Sequence, residues 1–214
     1  MGLRKYIQTN LEITNCVSEL LRSSNDSKSV AISSGAATIF EKNKKPIEDD
    51  PYGFLKLNEE NKLAEVSECM KLRIYGLTGQ FISNPELFAL GSFLFSAINN
   101  KQIEIKSRCP VIRSYGFASD IARFGLSWLN SNDGSDSFYA ATETIALDEL
   151  ADKITKMFNL NSVKHQIDFK LPPNKYICET DNFKKKLSKY KIQITPMEDQ
   201  IFETYKYLKR KYTN

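Results

Sequence analysis

Tyr52 and Lys56 carry the residue types and the spacing best suited to acid–base chemistry in this 214-residue chain. They stand four apart just after Asp50-Pro51, which reads as a helix N-cap followed by proline in the first turn. Both side chains then project from one helix face. A lysine ammonium beside a phenol favours the phenolate and lowers its pKa. A tyrosine tuned in this way serves as general acid or base near neutral pH. Upstream, Ser29-Val30-Ala31-Ile32-Ser33 predicts a buried strand that runs out into Ser34-Gly35-Ala36-Ala37. Ser34 would then offer a hydroxyl at the carboxyl edge of a parallel sheet, where α/β proteins bind ligands. On spacing alone each feature also has a plainer reading. Tyr-x-x-x-Lys is common as a surface pair, and serines often end a strand in an ordinary turn.

Other chemistries are excluded by composition. His165 is the one histidine, so there is no multi-histidine metal site and no His-based catalytic pair. No two of Cys16, Cys69, Cys109 and Cys178 lie within ten residues, so no CxxC zinc or redox motif exists. Sparse cysteines of this kind fit free thiols in a reducing compartment.

The elements that must position Tyr52, Lys56 and Ser34 alternate between helical and strand-like patterns, which predicts an α/β class. Ile13, Val17, Leu20 and Leu21 have the spacing of one helix face. The helix that begins at Asp50-Pro51 is expected to run through Leu63 and Val66 towards Met70. Lys71-Leu72-Arg73-Ile74-Tyr75 is the next strand, stopped by Gly76 and Gly79. Asn84-Pro85 opens a helix carrying Leu87, Leu90, Leu94 and Ile98, and Gln102 to Ile105 reads as a short strand. Ser119 is expected to cap a helix carrying Ile121, Phe124 and Trp128. A strand at Phe138-Tyr139-Ala140-Ala141 precedes a helix with Leu147, Leu150, Ile154 and Met157 on one face. Thr195-Pro196-Met197-Glu198 has the form of a capping box at the start of the last helix. A domain boundary is expected near Gly79 to Pro85.

In that order, strand-Ser-Ser-Gly-Ala, Asp50-Pro51-Tyr52-Gly53-Phe54-Leu55-Lys56, helix, and Leu72-Arg73-Ile74-Tyr75-Gly76 resemble the extended short-chain dehydrogenase/reductases, specifically their nucleotide-sugar epimerases and dehydratases. Further along, Arg113-Ser114-Tyr115-Gly116-Phe117-Ala118-Ser119-Asp120 resembles the family's Arg-aromatic-…-Asp segment. The late strand and helix, and the closing helix from Thr195, continue the likeness. The resemblance implies a partial Rossmann-like parallel sheet, its C-terminal half, in residues 1–80, with a smaller α/β substrate domain in residues 81–214 from which a late strand and helix return to the Rossmann sheet. It implies Tyr52 as catalytic acid/base and Lys56 as holder of the nicotinamide ribose. Ser34 would hydrogen-bond the reacting sugar group, and Tyr75 would lie near the nicotinamide. Arg113 would meet the diphosphate of a nucleotide sugar, where a planar fork of donors suits phosphate oxygens. The implied cofactor is NAD, with NADP the alternative, and the implied substrate is a nucleotide sugar.

Two departures shape the expectation. None of the nine glycines forms G-x-x-G-x-x-G or G-x-G-x-x-G, so the turn that holds the cofactor pyrophosphate is missing from this chain. The resemblance therefore places the chain's start after the family's fourth strand, and in the order 3-2-1-4-5-6 the Ser29–Ser33 strand becomes an exposed edge. A homodimer, or a complementing N-terminal fragment, is the expected partner. The second departure is Gly35-Ala36 after Ser34, where the family's dehydratases carry an acid to protonate the leaving hydroxyl. That favours an epimerase or ketoreductase. Gly76 stands where many relatives have a substrate-contacting asparagine. A non-catalytic nucleotide-sugar-binding module, or one half of a split enzyme, is the alternative function.

The net charge of +4 is uneven: residues 182–214 hold nine Lys/Arg against three Asp/Glu. No aromatic-interleaved motif accompanies that charge, so nucleic acid is not an expected partner. The most apolar run, Leu87 to Ile98, spans 12 residues, against the roughly 20 a bilayer requires. With no apolar leader after Met1, the sequence predicts a cytoplasmic protein without a membrane partner.

Overall fold

A computed structural model describes residues 2–24 and 27–213. Helix α1 (Leu3–Arg22) leads into strand β1 (Lys28–Ser34), helix α2 (Gly35–Asn43), helix α3 (Pro51–Ala64), strand β2 (Glu68–Ile74) and the short strand β3 (Gly76–Thr78). Helix α4 (Ala89–Ile98), strands β4 (Glu104–Ile105) and β5 (Val111–Phe117), helix α5 (Ala118–Leu129) and strands β6 (Asp136–Tyr139) and β7 (Glu143–Ala146) follow. The chain closes with α6 (Leu147–Phe158), β8 (Lys164–His165), β9 (Asn174–Tyr176), α7 (Asp181–Lys189) and α8 (Met197–Tyr212).

Two larger sheets organise these elements, beside a two-stranded pairing of β4 with β8. The first is parallel throughout, in the order β1-β2-β6. The second joins β3, β5 and β7, with β9 added along β5. In it β5 runs parallel to β3 and β9 and antiparallel to β7. The α/β class expected from the alternating pattern is thus present. Among the described residues β1 has β2 as its only strand partner, so it forms the edge expected for the Ser29–Ser33 strand.

Two apolar cores fix the layers. Phe124, Trp128 and Phe138 pack with Met70, Leu72, Phe183 and Leu187, so α5 and α7 lie against the first sheet. Leu94, Leu150, Ile154, Ile201 and Leu208 join α4, α6 and α8 against β5. Fully burying side chains of this size stabilises the fold by about 1.5–3 kcal/mol each before conformational entropy is counted.

Several local expectations are corrected. Ile13, Val17, Leu20 and Leu21 do lie on a helix, α1, as their spacing predicts, but they are not buried together. Leu21 packs near Ala31, Leu63 and Cys69, while Leu20 is 68% exposed and Ile13 and Val17 are exposed beside it. The inward side of α1 is instead set by Ser18 and Leu21. The segment after Ser34 is the helix α2 rather than a turn. Met70 lies in β2, since α3 ends at Ala64. Asn84 adopts the left-handed region (φ 48°) ahead of a short 3-10 turn, and α4 begins only at Ala89. Ser119 sits inside α5, whose cap position is Phe117. No capping box forms at α8. Thr195 is engaged by the buried Asp120, which accepts its N–H at 2.9 Å and its hydroxyl at 3.0 Å, while Glu198 pairs with Lys153.

Part of the charge of the basic C-terminal region is paired with acids. Lys186 and Lys189 pair with Asp136 and Asp133, and Lys206 with Glu203. Among the described residues no helix is long and apolar enough to cross a membrane.

Candidate functional site

The carboxyl ends of β1 and β2 open onto a cleft of about 620 Å³ that the second sheet closes from the other side. Ser34, Tyr52, Lys56, Tyr75 and Arg113 all line it. Residues separated by up to 79 positions in sequence are thereby brought to one cavity.

Ser34 is the last residue of β1 and the N-cap of α2, where its hydroxyl accepts the Ala36 N–H at 3.2 Å. Strand and helix meet at a serine because the cap position wants extended backbone and a side-chain acceptor. Asp50 does the same for α3, accepting the Gly53 N–H at 2.9 Å with Pro51 in the first turn. Gly53 permits the close approach of the two helix starts, since a Cβ there would fall 2.8 Å from the Ala36 carbonyl oxygen. Tyr52, 47% exposed, is thereby held at the cleft on the first turn of α3.

One turn on, Lys56 donates to the Ile32 carbonyl at 2.9 Å and pairs with Glu59 at 2.8 Å. Its ammonium is thus committed to the edge strand and to its own helix. Arg73, on β2, ties both helices to the sheet. Its Nε and Nη2 donate to the two carboxylate oxygens of the fully buried Glu60 of α3 at 2.8 and 2.6 Å. Its Nη1 reaches Thr38 and Glu41 of α2 at 3.0 and 3.2 Å. The bond to Glu60 raises the guanidinium pKa further.

Tyrosines furnish much of the cleft's interior. The Tyr75 ring lies 4.6 Å from Tyr176 and 5.8 Å from Tyr139, the second contact edge-on. Burial pushes the Tyr75 phenol up and pushes Tyr115 up to about 12. Arg113 leaves β5 with its Nη1 donating to the Ile112 and Asn174 carbonyls at 2.9 and 3.0 Å. Those bonds hold the guanidinium at the cleft wall. Phe81, Leu87 and Phe88 are exposed, and Phe81 and Phe88 belong to the rim.

Two contributors were not anticipated from sequence. Tyr176 belongs to the three-residue β9 yet reaches the cleft beside Ser34. Ser33 lies next to Ser34 with a buried hydroxyl that has no hydrogen-bond partner among the described residues. No periodic signal marks so short a strand as β9.

The residues present suit only one end of a dinucleotide. Tyr52 and Lys56 offer polar groups for a ribose, but the strand-to-helix turn at Gly35 is roofed by aromatic side chains. A Cβ on Gly35 would meet the Tyr75 ring at 2.6 Å and the Tyr176 hydroxyl at 2.8 Å. The Tyr75 and Tyr176 side chains thus pack directly on Gly35 at the start of α2. Among the described residues no group of three His, Cys, Asp or Glu side chains is placed to hold a metal.

No family model matches the sequence, and no curated protein does. Solved structures do match. The UDP-N-acetylglucosamine 4-epimerase from Methanobrevibacter ruminantium M1, in complex with UDP-N-acetylmuramic acid, superposes with a TM-score of 0.75 at 18% identity, covering 97% of this chain and 71% of that one. The UDP-glucose 4-epimerase from Thermotoga maritima with UDP-glucose gives 0.73 at 19% identity, with the same coverage. The UDP-glucuronic acid 4-epimerase from Bacillus cereus, with UDP-glucuronic acid and NAD, gives 0.72 at 16% identity, covering 95% and 68%. At such identities the likeness is one of fold, and over nearly its whole length this chain has the Rossmann-like α/β fold of these epimerases.

Proposed function

We propose that this chain, built on the fold of UDP-sugar 4-epimerases, binds a nucleotide sugar in the cleft between its two sheets and belongs to an NAD-dependent epimerase or ketoreductase. The single observation that carries this reading is the convergence of Ser34, Tyr52, Lys56, Tyr75 and Arg113 on one cavity. In this reading residues 1–80 form half of a dinucleotide domain and residues 81–214 the substrate lobe, apart from α5, β6 and α7, which return to the first sheet. Arg113 grips the diphosphate through a charge-assisted fork. Ser34 meets the reacting sugar oxygen, and Tyr52 exchanges its proton. Bound NAD supplies the hydride chemistry.

Because the chain holds no Gly-rich turn to seat the pyrophosphate, we assign that task to a further α/β segment, on this polypeptide or another. It would pair with the free edge of β1, where Ile32 is half exposed. The alternative reading, a nucleotide-sugar binder without catalysis, rests on the aromatic roof over Gly35. Calorimetric titration tests the nucleotide-sugar binding that both readings require. UDP-glucose is expected to bind, and Arg113→Ala to weaken binding about tenfold or more, as loss of a charge-assisted bond implies. Detectable NADH binding by this chain alone would refute the role given to a further segment. Absence of UDP-glucose binding at millimolar concentration would refute the whole proposal.

A further inference from the structure

Three residues of the turn after β3 hold left-handed backbone: Gly79 at φ 117°, Phe81 at 64° and Asn84 at 48°. Glycine and asparagine take that region readily, whereas a bulky side chain seldom does. Phe81 nonetheless stands there with its side chain at the rim of the cleft, 77% exposed. Strain of this kind persists only where the surroundings enforce it, and it gathers at ligand clamps.

Helix α8 does the enforcing. The Thr204 hydroxyl accepts the Gly79 N–H at 2.8 Å and donates to the Gln200 carbonyl at 2.6 Å. The Gln200 side chain accepts the Thr78 hydroxyl at 2.7 Å through Oε1 and donates to the Thr195 carbonyl at 2.7 Å through Nε2. Tyr207 then lies 5.1 Å from the Phe81 ring. Gln200, Thr204 and Tyr207 recur at helical spacing, so one face of α8 meets the turn. Thr78, Gly79, Gln200 and Thr204 are all buried, and a bond left unmade there would cost the desolvation of its groups. The turn is thereby fixed from behind. Most of the Phe81 surface stays bare, so its packing on Tyr207 does little to offset the strain, and a ligand in the cleft would cover more of it.

We propose that Phe81 is a ligand-contacting residue of the cleft and that Thr204 of α8 is the positioning residue that holds it at the rim. This rests on the nucleotide-sugar reading of the cleft. Thr204 does not itself line the cavity, so its effect on binding passes through the turn it holds, 125 residues earlier in the chain.

Two measurements test it, and they fail separately. The first needs no ligand: para-fluorophenylalanine placed at position 81 reports the surroundings of that ring by fluorine NMR. Thr204→Val is expected to move the resonance towards its position in Tyr207→Leu, and Thr204→Ser, which keeps the hydroxyl, to leave it where the parent has it. A parent-like resonance in Thr204→Val would overturn the hold of α8, as would a resonance in Thr204→Ser displaced as far as in Thr204→Val. The second is the affinity for UDP-glucose by calorimetry. Phe81→Gly removes the ring and suits the left-handed backbone. It is expected to weaken binding by about threefold or more, the scale of a modest aromatic contact, with a urea-unfolding midpoint no lower than the parent's. Thr204→Val is expected to weaken binding by a similar factor and Thr204→Ser to restore it. Should Thr204→Val fail to fold, Tyr207→Leu takes its place in the affinity series, with the same loss expected. Parent-like affinity in Phe81→Gly would overturn the proposal, and so would a lowered midpoint, which would give the ring to the fold instead. Failure of the parent protein to bind UDP-glucose would remove the nucleotide-sugar reading and the ligand half of this inference with it, and the fluorine resonance would still decide whether α8 holds Phe81.

Discussion

Replacing Arg73 with methionine should cost far more than a surface charge would. The guanidinium is only 11% exposed and the Glu60 side chain is fully buried. Two of its donors meet both oxygens of that carboxylate, at 2.8 and 2.6 Å. Arg73→Met leaves Glu60 enclosed beneath α3 with no cation beside it. Breaking a buried pair from one side costs about 3–5 kcal/mol, because the remaining charge is uncompensated. An exposed pair such as Lys164–Glu104 is worth about 0–1 kcal/mol by contrast. Domains of this kind have about 5–15 kcal/mol in total, so the variant should lose a large share of its stability. The double change Arg73→Met with Glu60→Leu removes both charges and should recover most of the loss. Urea unfolding followed by far-ultraviolet circular dichroism measures all three proteins. A loss below about 1 kcal/mol in Arg73→Met, on the scale of an exposed pair, would refute the claim that this pair anchors α3. So would a double variant no more stable than the single one.

Other consequences follow from the same packing. Gly91→Ala should destabilise the fold by about 1–3 kcal/mol or more in urea unfolding, because its Cβ would lie 2.0 Å from the Pro85 carbonyl oxygen. Alkaline titration should weaken the fold. Burial raises the Cys178 thiol from 9.0 to about 11 and the Tyr115 phenol from 10.0 to about 12. The folded state therefore holds these protons more tightly, the slope is absent below about pH 9, and stability falls as pH rises from 9 to 12. A melting temperature flat across that window would contradict this. Ile32→Lys on the free edge of β1 should reduce self-association at high concentration in analytical ultracentrifugation, as a charge on an exposed edge strand does.

Much of this site was legible in the chain because its signals are local. Asp50-Pro51 marks the start of α3 through cap chemistry, and that start fixes where Tyr52 and Lys56 emerge. The apolar run before Ser34 marks β1 through its β-branched Val30 and Ile32, although only Ala31, Ser33 and Ser34 of the strand are buried. What escaped depends on distant partners. Tyr176 reaches the cleft only through the pairing of β9 with β5, 63 residues earlier in the chain. The capping-box pattern at Thr195 misled because the buried Asp120 offers Thr195 stronger partners than the helix does. The spacing of Ile13, Val17, Leu20 and Leu21 marked the helix α1, but periodicity does not tell whether another element covers the face. Helix α2 hid behind a Ser-Gly-Ala-Ala segment whose small residues carry little periodic signal.

The most direct test of the central claim is a crystal structure of the protein with UDP-glucose. The account requires the diphosphate within hydrogen-bonding distance of the Arg113 guanidinium and the hexose against Ser34 and Tyr52, inside the cleft that these residues line. A nucleotide seated elsewhere, or a hexose facing away from Ser34 and Tyr52, would contradict it.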